Sequence, residues 1–119
     1  MFNVDFYRTA TGKCDIEEFL DNLVKKAETN KDARIQHKQV ALYIQLLEDY
    51  GTGLGDNIVK HLEDGIWELR PGNNRVLFFY FMGSTYVLLH HFRKTTNKTP
   101  RREITRAKAE RDDWILRKG

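Results

Sequence analysis

Residues 65–111 read GIWELRPGNNRVLFFYFMGSTYVLLHHFRKTTNKTPRREITRAKAER, and this stretch decides the fold. Trp67 and Leu69 alternate with Glu68 and Arg70, the period of a half-buried strand. Pro71-Gly72-Asn73-Asn74 is turn chemistry. From Arg75 to Met82 the chain is apolar after its first residue, as a central strand covered on both faces requires. Gly83-Ser84 reads as a two-residue turn, and Thr85 to Phe92 as the next strand. Thr99-Pro100 places Thr at the N-cap and Pro at the first position of a helix that runs to about Leu116. Its apolar contacts are Ile104, Ala107, Trp114 and Ile115.

Working outward, Phe2, Val4 and Phe6 alternate with polar neighbours, a first strand that joins the same sheet. Asp15 as N-cap and Glu18 three residues later form a capping-box pattern. Ile16, Phe19, Leu20, Leu23, Val24 and Ala27 follow at helical spacing. A second helix spans about Ala33 to Asp49 on a stripe of Val40, Tyr43, Ile44 and Leu47, with Gly51 at its C-terminal end. The two helices make a hairpin. Gly51, Gly53 and Gly55 form a flexible connector. They lack the preceding strand and following Lys-Ser/Thr of a phosphate loop. The predicted architecture is α+β: order β-α-α-β-β-β-α, an antiparallel sheet of about four strands, a helical hairpin and a C-terminal helix, in one domain spanning residues 1–119.

With 40% hydrophobic and 31% charged residues, the composition is that of an ordinary globular domain. The longest apolar run, Val76 to Met82, is far too short to span a bilayer. The start shows no basic segment followed by an apolar one, so the expected location is cytoplasmic, away from membranes. The single Cys14 has no partner for an internal disulfide or a zinc site and reads as a plain thiol. The net charge of +3 is unevenly placed: residues 1–59 carry 7 Lys/Arg against 10 Asp/Glu, and residues 60–119 carry 13 against 7. The second half is the candidate anion-binding half.

Three sets of side chains carry candidate chemistry. Lys60, Arg70, Arg75, Arg93, Lys94 and Lys98 sit at or beyond strand ends. Antiparallel neighbours bring the Arg75 and Arg93 regions to one rim, where Arg suits bidentate and Lys point-charge contact with phosphate. His61, His90 and His91 can exchange protons near neutral pH. His90 and His91 are adjacent on a strand and point to opposite faces. Among the aromatics, Phe92, flanked by Arg93 and Lys94, is placed near a site, and the rest in the core. Glu68 is positioned to pair with Arg70. No metal-spacing motif is present, so metal-free chemistry is expected.

The joined pattern GIWELR…NRVLFFYF…YVLLHHFRKTTNKTPRREITRAKAER resembles the RelE/ParE superfamily of toxins from bacterial type II toxin–antitoxin modules. It is most similar to the HigB branch and its phage-derived RelE-like members. The resemblance implies a RelE-like fold and a ribosome-dependent endoribonuclease that cuts mRNA without a metal or other cofactor. It also implies a helix-turn-helix antitoxin of the HigA type, bound in a heterotetramer, with the ribosome and mRNA as further partners. By position its catalytic residues fall on Arg70, Arg75 and Lys94, with His90 as a proton-transfer candidate. Lys60, His61, Phe92, Arg93 and Lys98 are then expected to bind RNA. Arg93 stands where the branch usually has a lysine, and no Tyr or His lies downstream of Lys98. A gyrase-directed toxin of the same superfamily and a non-catalytic nucleic-acid-binding module are the competing readings.

Overall fold

The computed structural model describes residues 1–118. The order is β1 (Asn3–Phe6), α1 (Asp15–Ala27), α2 (Lys31–Tyr50), β2 (Val59–Glu63), β3 (Ile66–Leu69), β4 (Asn74–Phe81), β5 (Thr85–Arg93) and α3 (Arg101–Lys118). The five strands lie in the order β1-β5-β4-β3-β2. This corrects the expected four strands: residues 59–63, to which the sequence pattern assigns no element, form β2. The overlooked signal is Asp64-Gly65. Both residues have positive φ (49° and 76°), and Glu63 pairs with Ile66 across them, the twist-matched turn of a two-residue hairpin. The sheet is also not wholly antiparallel. β1 runs parallel to β5, with Val4 opposite Tyr86 and Phe6 opposite Leu88. A parallel neighbour is possible because the whole chain from α1 to β4 serves as the crossover.

Helices cover both faces. Leu69, Val76, Phe78 and Leu88 pack with Ile16 of α1 and Leu47 of α2. On the other face Ile66, Leu77, Phe79, Val87 and Leu89 pack with Ala107 and Trp114 of α3. β4, apolar as predicted, is buried from Asn74 to Phe79. Leu77 pairs with His90 and Phe78 with Leu88. The extra residue of this bulge, Leu89, joins the α3-side core. Phe81 pairs with Thr85, so the β4–β5 turn holds three residues, not two.

Three local expectations change. α1 is preceded by Cys14 with no side-chain cap. Asp15 does not cap, because its Oδ1 accepts the backbone N–H of His91 (2.9 Å). Asn30, instead, caps α2 through the Ala33 N–H (3.0 Å), starting that helix two residues earlier than Ala33. Val24 and Ile115 are exposed, at 51% and 39%, so each lies at the margin of its helix's apolar stripe.

Gly51 ends α2 with φ 69°, and a Cβ there would lie 2.8 Å from the Phe2 ring and 2.9 Å from the Tyr86 hydroxyl. Gly51→Ala is expected to cost about 2–4 kcal/mol through positive-φ strain and overpacking. Gly53, where a Cβ meets nothing within 4 Å, should tolerate Ala. Urea denaturation of the two variants checks this, and equal midpoints would refute it.

Candidate anion-binding site

On the α3 side of the sheet, β2, the end of β3, the 97–99 segment and the start of α3 enclose a cavity of about 270 Å³. Lys60, His61, Arg70, Lys98 and Arg101 contribute five basic residues to its lining. Four of these five residues, Lys60, His61, Arg70 and Lys98, are among the site residues expected from sequence. Lys60 sits opposite Glu68 in the register, which puts it on the face of the sheet that α3 packs against. His61 pairs with Trp67, and its ring meets the indole edge-on at 4.9 Å on the opposite face, where Trp67 packs against the α1/α2-side core.

The cavity's back wall is organised by Glu68, which is 1% exposed. Its Oε1 accepts from Arg70 Nε (3.1 Å), and Arg75 Nε lies 3.7 Å from the same oxygen. Its Oε2 accepts from the Thr99 hydroxyl (2.6 Å). The expected Glu68–Arg70 pair therefore exists, and a second arginine and the chain entering α3 join it. Thr99 spends its hydroxyl on Glu68. Arg70 is further fixed by donating from Nη1 to the Asp56 carbonyl (2.9 Å), which aims a rigid guanidinium at the cavity.

Arg75 occupies a different place from the one its expected role requires. It is 7% exposed and donates from Nη1 to the carbonyls of Gly72 (2.8 Å) and Asn74 (2.9 Å). Burial pushes its guanidinium below the ordinary arginine range, and Glu68 works against that shift while Arg70 adds to it. A guanidinium this engaged supports Glu68 from behind rather than gripping a ligand.

His90 also departs from expectation. It is fully buried, with Nδ1 2.5 Å from Glu110 Oε1 and Nε2 3.0 Å from Glu103 Oε1. Both ring nitrogens serve to anchor α3 to the sheet, which leaves none for a substrate. Phe92 is half-buried in the α3-side core, 6.5 Å from the His90 ring. Arg93 lies across the sheet, where Nη1 donates to Gln36 Oε1 of α2 (3.1 Å). Lys94 bonds the Asn73 carbonyl through its backbone N–H (2.8 Å) and does not line the cavity. The cations expected at one rim are thus divided by the pleat between two faces.

Sequence reasoning missed the Glu63–Arg101 gate. Arg101 donates from Nη1 and Nη2 to Glu63 Oε2 (2.7 Å) and Oε1 (2.6 Å), and Lys108 Nζ adds a third bond (2.6 Å). These contacts, from Arg101 first, hold the Glu63 carboxyl at about 2. The only clue in the sequence was Arg101 directly after the helix-opening Thr99-Pro100. Lys60 and Lys98, both exposed, have no carboxylate partner within 4 Å among the described residues. Among those residues no group of three or more His, Cys, Asp or Glu is arranged to hold a metal ion, and no helix is long and apolar enough to cross a membrane.

Residues 19–112 match the family model described as Phage derived protein Gp49-like (DUF891). The chain belongs to this family. No curated protein sequence matches it. Among solved structures it is similar to the YoeB dimer from Staphylococcus aureus, at 13% identity and a TM-score of 0.47, covering 80% of this chain and 97% of that one. It is also similar to YoeB in a YoeB–YefM complex from the same organism, at 13% identity and TM-score 0.48, covering 76% and 94%. A third similarity is to the heterotetrameric YoeB–YefM toxin–antitoxin complex from that organism, at 11% identity and TM-score 0.47, covering 81% and 98%.

Glu68→Ala should cost about 3 kcal/mol, because it strands the charge of buried Arg75 and releases the chain before α3. Arg70→Ala, at the more exposed end of the same contact, should cost about 1 kcal/mol. Chemical denaturation measures both, and a smaller loss for Glu68→Ala would contradict the hub. Separately, a carboxylate held low contributes stability above its unfolded value and loses it as pH falls. The Glu63 contribution should therefore fade from about 4.5 to about 2. Glu63→Gln should remove that portion of the acid unfolding curve.

Proposed function

We propose that this chain is the toxin of a type II toxin–antitoxin module and that it cleaves mRNA in the cavity beside Arg70. The observation that carries this reading is the buried Glu68, which fixes Arg70 at the wall of a cavity where two further cations, Lys60 and Lys98, are unpaired among the described residues. Membership of the Gp49-like family is in keeping with the RelE-like character of the sequence.

The chemistry suited to this site draws its nucleophile from the substrate. The RNA 2′-oxygen attacks the adjacent phosphorus in line, and the bond from phosphorus to the 5′-oxygen breaks. The products are a 2′,3′-cyclic phosphate and a free 5′-hydroxyl. One proton leaves the 2′-hydroxyl and one is delivered to the departing 5′-oxygen. Arg70 stabilises the charge that builds on the phosphate oxygens, while Lys60 and Lys98 hold flanking phosphates. His61 borders the cavity but keeps its ring on the opposite face beside Trp67, so it takes no part in proton transfer in this scheme. Arg75 acts through Glu68 as a positioning residue, and Lys94 extends the positive rim. The ribosome presents the mRNA, and a HigA-like helix-turn-helix antitoxin neutralises the toxin in a heterotetramer.

Induced expression in bacteria without an antitoxin should arrest growth and yield discrete new 5′ ends in mRNA by primer extension. Arg70→Ala should lower cleavage by about 100-fold or more while remaining folded by circular dichroism. Undiminished arrest by the Arg70 variant, or arrest with intact mRNA, would overturn the assignment.

A further inference from the structure

A second cavity, of about 360 Å³, opens on the opposite face of the sheet, between α1, α2 and the ends of β4 and β5. Its lining includes Lys13, Lys26, His91 and Arg93. The imidazole of His91 is fixed from two sides. Its ring stacks on Phe19 with centroids 3.9 Å apart and planes 9° from parallel. Its Nδ1 lies 2.6 Å from Asp15 Oδ1, the oxygen that also accepts its backbone N–H. Burial alone would raise the Asp15 carboxyl, but these bonds, the His91 charge and Arg106 hold it below the ordinary range. An ionised carboxylate only accepts, so Nδ1 is the donor. Nε2 is then the ring atom left for a ligand.

The cations around this ring are uncommitted. Lys13, Lys26 and Arg93 have no carboxylate within 4 Å among the described residues, whereas Arg101, Arg106, Lys108, Arg111 and Arg117 of α3 each have one. Among the described residues the Arg93 side chain hydrogen-bonds only the amide oxygen of Gln36. The carboxylates at the cavity are Asp15, already engaged by His91 and Arg106 (3.4 Å), and Glu18. Three unpaired cations around an oriented imidazole form a receptor for a compact anion with several oxygens.

We propose that this cavity binds a phosphate group, with Arg93 and the imidazolium form of His91, through Nε2–H, donating to its oxygens and Lys13 and Lys26 balancing its charge. The pleat separates it from the cavity of Arg70, because His91 and Arg93 face α1 and α2. It is therefore an additional site and does not depend on the nuclease reading. The phosphate comes either from the backbone of single-stranded RNA or from a free phosphate ester.

The test follows the His91 ring nitrogens by NMR while sodium phosphate is added to the whole protein at constant pH and ionic strength. A saturable His91 response is expected, weakened about tenfold or more in Lys26→Ala/Arg93→Ala and unchanged in Lys60→Ala. Both substituted side chains of the double variant reach the surface, and circular dichroism confirms its fold. A response that never saturates, survives the double variant, or disappears in Lys60→Ala would overturn the proposal. Two further titrations identify the source. Uridine 3′-monophosphate carries a terminal phosphate. A 2′-methoxy tetrauridylate without end phosphates carries only diesters and resists cleavage. An Arg93-dependent response to the tetranucleotide assigns the site to an RNA backbone, and a response to the monophosphate alone assigns it to a phosphate ester. Neither reading uses cleavage, so loss of the nuclease assignment leaves this result interpretable.

Discussion

A single buried carboxylate ties the α3 side of this protein together. Glu68 stands in the sheet with almost no access to water and accepts from Arg70 and the Thr99 hydroxyl, with Arg75 close behind. A lone charge there would be costly to desolvate, and two guanidinium groups and a short hydroxyl bond offset that cost. Its three neighbours come from the end of β3, the start of β4 and the entry to α3. One interaction therefore fixes the hairpin, positions the last helix and sets the direction of the most enclosed cation of the cavity. The fold and the candidate site share this contact, so neither changes without the other.

α3 shows how a strongly charged helix is held to an apolar sheet. Ile104, Ala107 and Trp114 are its buried apolar residues. The remainder is ionic: His90 reaches Glu103 and Glu110 from inside the sheet, and Arg111 bonds Asp64 at the β2–β3 turn. Tyr7 and Arg117 meet at Asp113, and burial together with Asp113 pushes the Tyr7 hydroxyl up from its ordinary value. Most of the basic residues on this helix are neutralised by the protein itself. A count of Lys and Arg in the second half of the sequence thus overstates the charge available to a partner. The cations that remain unpaired lie at strand ends, in loops and along α1 and α2.

How much of this was legible in the sequence depends on the range of the interaction. Alternation at Trp67 to Arg70 and the apolar run after Arg75 revealed β3 and β4, because burial imposes period and composition directly on the chain. β2 escaped because Val59 to Glu63 is an edge strand with exposed Lys60 and His61, and edge strands carry weak patterns. The parallel seating of β1 depends on a partner about 80 residues away and leaves no local trace. Lys60, Arg70 and Lys98, singled out by chemistry and position, line one cavity. Arg75, His90 and Arg93 were misplaced because strand-end charge does not disclose which way a side chain points after a bulge. The Leu89 bulge, invisible in composition, is what sends His90 into the α3 interface and His91 to the other face.

The parallel pairing of β1 with β5 has a kinetic side. β1, the first strand in chain order, is an edge of the sheet, and among the described residues its strand partner is β5, the last in chain order. Such distant pairing is slow to form, because a long loop must close before any contact rewards it. β1 can be seated only after the helices and strands up to β5 have been made, and α3 lies beyond them in the chain. The cavity beside Arg70, whose rim includes the start of α3, is therefore completed only after every strand of the sheet has been made.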